Sequence, residues 1–99
     1  VRFLYLIRPV REGFAEVMLP EEETAMTEHF DYLKRLHREG MVQLAGPCLD
    51  AAFGIVIFEA PDIESARKIM ANDPAVYKGV MQGEVHPYRV SLVTPMTAG

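Results

Sequence analysis

Val1-Arg2-Phe3-Leu4-Tyr5-Leu6-Ile7-Arg8 sets Phe3, Tyr5 and Ile7 on one side of an extended chain and Leu4 and Leu6 on the other. A strand that is apolar on both faces belongs between two covers. The run from Phe53 to Glu59 has the same character, with Ile, Val and Phe and almost no polar side. Between these strands, Pro9 to Leu19 reads as a loop, and Pro20 opens a helix whose Glu21, Glu22 and Glu23 suit the positive end of its dipole. Asp31 is placed to pair with Arg35, and Gly40 stops the helix as a left-handed cap. Met41 to Ala45 is a second strand, ended by Gly46-Pro47. Asp62 caps a second helix with Ile63, Ala66, Ile69 and Met70 facing inward, and Asn72-Asp73-Pro74 ends it. Asp73 can cap a further short turn through Tyr77, and the last strand is expected from Glu84 to Val93, with Pro87 marking an edge or a bulge.

The order strand, helix, strand, strand, helix, strand predicts an α+β, ferredoxin-like βαββαβ domain over residues 1–93, with a four-stranded antiparallel sheet and a loose tail over 94–99. Both helices fall on one face. The other face would leave Leu4, Leu6 and half of the Phe53–Phe58 run in water, which a lone soluble chain rarely tolerates. A second copy, sheet against sheet, is the simplest cover, so a homodimer is expected.

Ninety-nine residues make one domain, and 49% hydrophobic content supplies a core and argues against disorder. A net charge of −4 with scattered Lys and Arg argues against a nucleic-acid surface. No apolar run approaches the ~20 residues that span a bilayer, and Val1 to Ile7 reads as a strand rather than a signal segment, so a cytoplasmic, membrane-free protein is expected. Cys48 is the single cysteine and reads as a small half-buried thiol rather than a nucleophile. His29 and His37 stand eight residues apart on one helix, about 12 Å along its axis, too far to share an ion. Neither a metal nor another cofactor is expected.

The chemistry concentrates in Met26-Thr27-Glu28-His29-Phe30-Asp31-Tyr32-Leu33-Lys34-Arg35-Leu36. On a helix, Met26, His29, Phe30, Leu33 and Leu36 gather into one apolar arc. An imidazole there needs a partner, because an unsatisfied buried polar group costs about 1–3 kcal/mol. Asp73 is a candidate carboxylate, although an Asp before Pro at a helix start is also the ordinary N-cap. A core histidine bonded to a backbone carbonyl is the competing reading. His37 also points inward by helical phase and reads as structural.

The helix with His29, the segment Gly40-Met41-Val42-Gln43-Leu44-Ala45-Gly46-Pro47, the strand ending Phe58-Glu59-Ala60 and Asn72-Asp73-Pro74-Ala75-Val76 with Gly79 together resemble the YciI-like (YCII-related) proteins, from about Val1 to Tyr88. The resemblance implies a dimeric α/β barrel of ferredoxin-like subunits and a His–Asp pair between helix and sheet, carried here by His29 and Asp73. Asp50 matches a position often acidic in the family. After it, Ala51-Ala52-Phe53-Gly54 replaces a more glycine-rich stretch, and His86-Pro87-Tyr88 stands where a basic residue, Pro and an aromatic are frequent. One branch resembles dehydrochlorinases, and related barrels include muconolactone isomerases and small monooxygenases.

No serine or cysteine is placed to complete a triad, so acid–base chemistry without a covalent step fits better. The first functional reading is a small lyase-like or isomerase-like enzyme moving a proton on a small cyclic or aromatic acid, with His29 and Asp73 catalytic and Asp50, Tyr5 and Tyr77 contacting substrate. The second is a non-catalytic module that holds a small molecule in the same pocket. Catalysis requires that His29 reach a ligand, whereas a structural histidine would be sealed in.

Overall fold

The computed structural model describes residues 1–99 and contains β1 (Arg2–Pro9), α1 (Pro20–Arg38), β2 (Val42–Pro47), β3 (Gly54–Glu59), α2 (Ile63–Ala71), α3 (Pro74–Tyr77) and β4 (Met81–Pro87). The strands form one sheet in the order β2-β3-β1-β4, every pairing antiparallel. This is the expected ferredoxin-like arrangement, with β1 and β3 central. Their central position explains why these two strands are apolar on both sides. Phe3, Tyr5 and Ile7 of β1 and Val56 and Phe58 of β3 are buried on the helix side. The alternate residues Leu4, Leu6, Ile55 and Ile57 lie on the opposite face and are half-buried. Alternation gives no sign of which face the helices take; the crossovers decide it.

The core lies between the sheet and the helices. Leu33 and Leu36 of α1 and Ala66 of α2 pack onto Phe3, Tyr5 and Phe58, with the Tyr5 ring set edge-on to Phe58 at 5.4 Å. Gly83 is the point of closest approach between α2 and β4. A Cβ there would stand 2.8 Å from Met70 Sδ and 3.2 Å from Ile7 Cγ2, so the missing side chain lets the helix settle.

The helix ends largely follow local chemistry. Asp62 accepts from Ser65 N at 2.8 Å, Asp73 accepts from Ala75 N at 2.9 Å, and Gly40 takes φ +81 after α1. The start of α1 is held differently, because its N-cap, Leu19, has no side-chain acceptor. Buried Glu22 instead accepts from Leu19 N at 2.8 Å and from Arg11 Nε and Nη2 at 2.9 and 2.8 Å. The forked guanidinium thus fastens the β1–α1 loop to the helix. The Arg11 bonds, followed by the Leu19 amide, hold the Glu22 carboxyl below its ordinary range.

Four local expectations change. The last strand runs Met81–Pro87 rather than Glu84–Val93, so Gly83 sits within it and Pro87 ends it at the sheet edge, where no ladder donor is required. Asp31 pairs with Lys34, not Arg35, which reaches Glu39. Phe30 is 61% exposed and His37 is exposed, because the inner arc of α1 is narrower than five residues. Ala51 adopts φ 62 in the β2–β3 turn, at the place where the family pattern is glycine-rich. An L residue is strained there, whereas glycine is not. Ala51→Gly is therefore expected to raise stability by about 0.5–1 kcal/mol, read as a higher denaturant midpoint with an unchanged slope.

Candidate functional site

Asp73 is fully buried and is the point on which three elements converge. Its Oδ1 accepts from Ala75 N at the start of α3, and its Oδ2 accepts from Tyr5 Oη of β1 at 2.8 Å. His29 of α1 brings Nδ1 to 2.8 Å from Oδ1 and 2.7 Å from Oδ2. The cap and the histidine partner, posed as alternatives by the sequence, are the same carboxylate. A carboxylate accepts and does not donate, so Nδ1 carries the proton and Nε2 presents its lone pair.

The His29 side chain is 13% exposed, and its Nε2 has no protein partner. Every buried side-chain nitrogen and oxygen is paired, so Nε2, which has no partner, is not sealed, and His29 is one of the residues that line a cleft. That cleft, about 1070 Å³, lies between α1 and the β2–β3 side of the sheet, and most of its wall is apolar, including Met26, Leu33, Val42, Phe53 and Val56. Its form is that of a small-molecule site, an apolar concavity with few polar groups.

Tyr5 is also fully buried. Burial first, and then the Asp73 charge, push its phenol well above the ordinary tyrosine value, so it acts as a neutral donor to the carboxylate. Tyr32 donates to Ile69 O at 2.7 Å, and its phenol is pushed up to about 12, by burial first and then by Asp73. Beside His29, Glu28 pairs at the surface with Lys78, which links α1 to the segment after α3.

The structure brings His29, Asp73 and Tyr5 together, with Tyr5 behind the carboxylate rather than on the cleft wall. Asp50 and Tyr77 are not part of this group. Asp50 is exposed in the β2–β3 turn, where Oδ1 accepts from Ala52 N at 3.1 Å. Tyr77 is 62% exposed and lines a separate shallow groove with Tyr32, Arg35 and Asn72. Sequence reasoning missed the Tyr5–Asp73 bond and the Arg11–Glu22 pair. The acidic residue three positions into α1 was the one available sign of the latter. No cluster of three or more His, Cys, Asp or Glu side chains gathers into a metal-binding group, and no helix is long and apolar enough to cross a membrane.

Comparison with known proteins agrees with this frame. The uncharacterised protein YjpA of Bacillus subtilis (strain 168) is 37% identical over 51 residues, 52% of this chain and 60% of that protein, so the chain matches well under two-thirds of its relative's length. The 5-chloro-2-hydroxyhydroquinone dehydrochlorinase of Burkholderia phenoliruptrix AC1100, solved with 2,5-dihydroxybenzoquinone, superposes with a TM-score of 0.66 at 22% identity, over 88% of this chain and 93% of that one. A muconolactone isomerase superposes with a TM-score of 0.70 at 16% identity, over 99% of this chain and 98% of that one. At such identities these two show a shared fold alone, the α+β arrangement of a four-stranded antiparallel sheet with helices. The YCII-related domain profile matches residues 2–89, nearly the whole chain, and this protein belongs to the YCII-related family.

Proposed function

We propose that this chain is a small acid–base enzyme of the lyase or isomerase kind, in which His29 Nε2 takes a proton from carbon on a small cyclic or aromatic acid. The observation that carries this reading is an imidazole on the wall of an apolar cleft whose Nδ1 is held by a buried carboxylate and whose Nε2 has no protein partner. Asp73 keeps the tautomer and stabilises the imidazolium that forms, and Tyr5 with Ala75 N keeps Asp73 in place. The proton then returns at another atom, giving isomerisation, or stays while a leaving group departs with the electron pair, giving elimination. The two fold relatives are named for a dehydrochlorination and an isomerisation, which supports a reaction of that kind.

We infer also that the working unit is a homodimer made through the open sheet face. Leu4, Leu6, Ile55 and Ile57 form an apolar strip there. Arg2 with Glu59 and Gln43 closes one end of it and Arg8 the other, while on β4 His86 stands opposite Leu4 and Glu84, paired with Arg8 and His86, opposite Leu6. An apolar strip between paired charges suits a self-complementary contact. Leu4→Asp or Ile55→Asp is expected to give a folded monomer in sedimentation, since both positions lie away from the core. A wild-type monomer at micromolar concentration would remove the dimer.

Two measurements address the site. A thermal-shift and turnover screen of small aromatic and lactone acids should find a ligand whose turnover is abolished by His29→Asn. That change should cost stability only about 1–2 kcal/mol, because Asp73 keeps two donors. Asp73→Ala removes the cap and leaves Tyr5 and His29 without their acceptor, and should cost about 2–5 kcal/mol. If His29→Asn unfolds the protein and leaves ligand binding intact, His29 is structural; binding without turnover in wild type would make the chain a binding module.

The second measurement is an alkaline titration. The folded chain holds the Tyr5 and Tyr32 protons above the ordinary value of about 10, so between that pH and about 12 the unfolded chain binds fewer protons than the folded one. Stability is therefore complete below about pH 10 and falls as pH rises beyond it. Phenolate absorbance should show Tyr5 and Tyr32 ionising only as the chain unfolds. Tyr5→Phe should lessen that alkaline loss.

A further inference from the structure

The chain is acidic, with 14 Asp and Glu against 10 Lys and Arg, yet no Asp or Glu lines the cleft. The ionisable side chains on its wall are His29, Lys34, His37 and Cys48, and the three basic ones all come from α1. They fall on two parallel rows of that helix. Met26, His29 and Leu33 form the inner row, facing the sheet, while Phe30, Lys34 and His37 follow at the i, i+4 and i+7 positions of an outer row along the mouth. The inner row is apolar around the one working imidazole. The outer row combines an aromatic ring with two basic groups.

Each member of the outer row has capacity left for a ligand. Phe30 is 61% exposed, so much of its ring is open to a ligand. Lys34 Nζ stands 4.9 Å from the centre of that ring, and its one ion pair is an exposed contact with Asp31 at 3.3 Å. Such exposed pairs hold their cation weakly. His37 is exposed and no other side chain bonds its ring. Along the helix axis Lys34 lies about 7.5 Å and His37 about 12 Å beyond His29, roughly the length of one or two fused rings. We propose that Phe30, Lys34 and His37 form the recognition wall of the cleft and select a flat aromatic anion, with its ring against Phe30, its acidic group on Lys34 and His37, and its far edge at His29.

This inference rests on the reading of His29 as the base of the cleft, but its test does not. The probes are 2-naphthoate and its neutral isostere 2-naphthamide, titrated into the full chain and followed by NMR. 2-Naphthoate should shift the ring resonances of His29, Phe30 and His37 and bind about tenfold more tightly than the amide, the usual scale of one charge-assisted contact. Lys34→Gln and His37→Gln, both exposed and expected to fold normally, should together bring that ratio within threefold of unity without weakening the amide, and Lys34→Arg should restore much of it. Phe30→Ala should weaken both probes alike. Equal binding of acid and amide, a preference that survives the Lys34 and His37 changes, or no binding of either probe in the cleft would each overturn the proposal. His29→Asn separates the two claims. Retained anion preference together with an unfolding defect rejects the catalytic role and leaves this wall standing, whereas preference lost with His29 alone does the reverse.

Discussion

A carboxylate with no access to water must be surrounded by donors, and the rest of this structure is arranged around that requirement at Asp73. The donors arrive from three different elements: the first turn of α3, the centre of β1 and the middle of α1. Each element must be in place before the charge is paired, so the site and the fold are one cooperative unit. The arrangement also divides labour. Tyr5 and Ala75 N hold the carboxylate from the sheet and the α3 turn, and His29 spends only Nδ1 on it, which leaves Nε2 without a protein partner.

The sheet supplies the positions from which this is possible. With order β2-β3-β1-β4, β1 lies in the interior, and Tyr5 projects from it beneath the helices at the level of the α3 cap. The crossover through α1 brings His29 over the same point, and the Glu28–Lys78 pair lies beside it at the surface. On the β2–β3 side the cover of α1 is incomplete, which leaves a concavity where a fully packed helix would have closed it. The open face of the sheet meets the rim of this cleft at Ile55, which belongs to the apolar strip and also lines the concavity.

Charge is distributed with the same economy. Several acidic groups at helix starts and on the open sheet face stand beside a base or a backbone amide, as with Glu22, Asp62, Glu59 and Glu84. The cleft is left with basic groups alone. Net charge therefore says little about what the molecule binds; the local sign at the concavity does.

The strand and helix order, the two apolar faces of β1 and β3, the caps at Asp62 and Asp73 and the candidacy of His29 and Asp73 as a pair were all legible in the sequence. They depend on periodicity, local hydrogen bonding and the rule that a buried imidazole needs a partner. The third member of the site was not legible. Tyr5 and Asp73 stand 68 residues apart, and only the sheet and its crossovers bring them within 2.8 Å. The sequence also could not tell Phe30 from Leu33, because helical phase defines an arc but not how much of it the sheet covers. Nor could it choose which face of the central strands the helices take, since an alternation apolar on both sides reads the same from either one. Local pattern determined what each segment is; long-range packing alone decided which side chains meet and which remain open to a ligand.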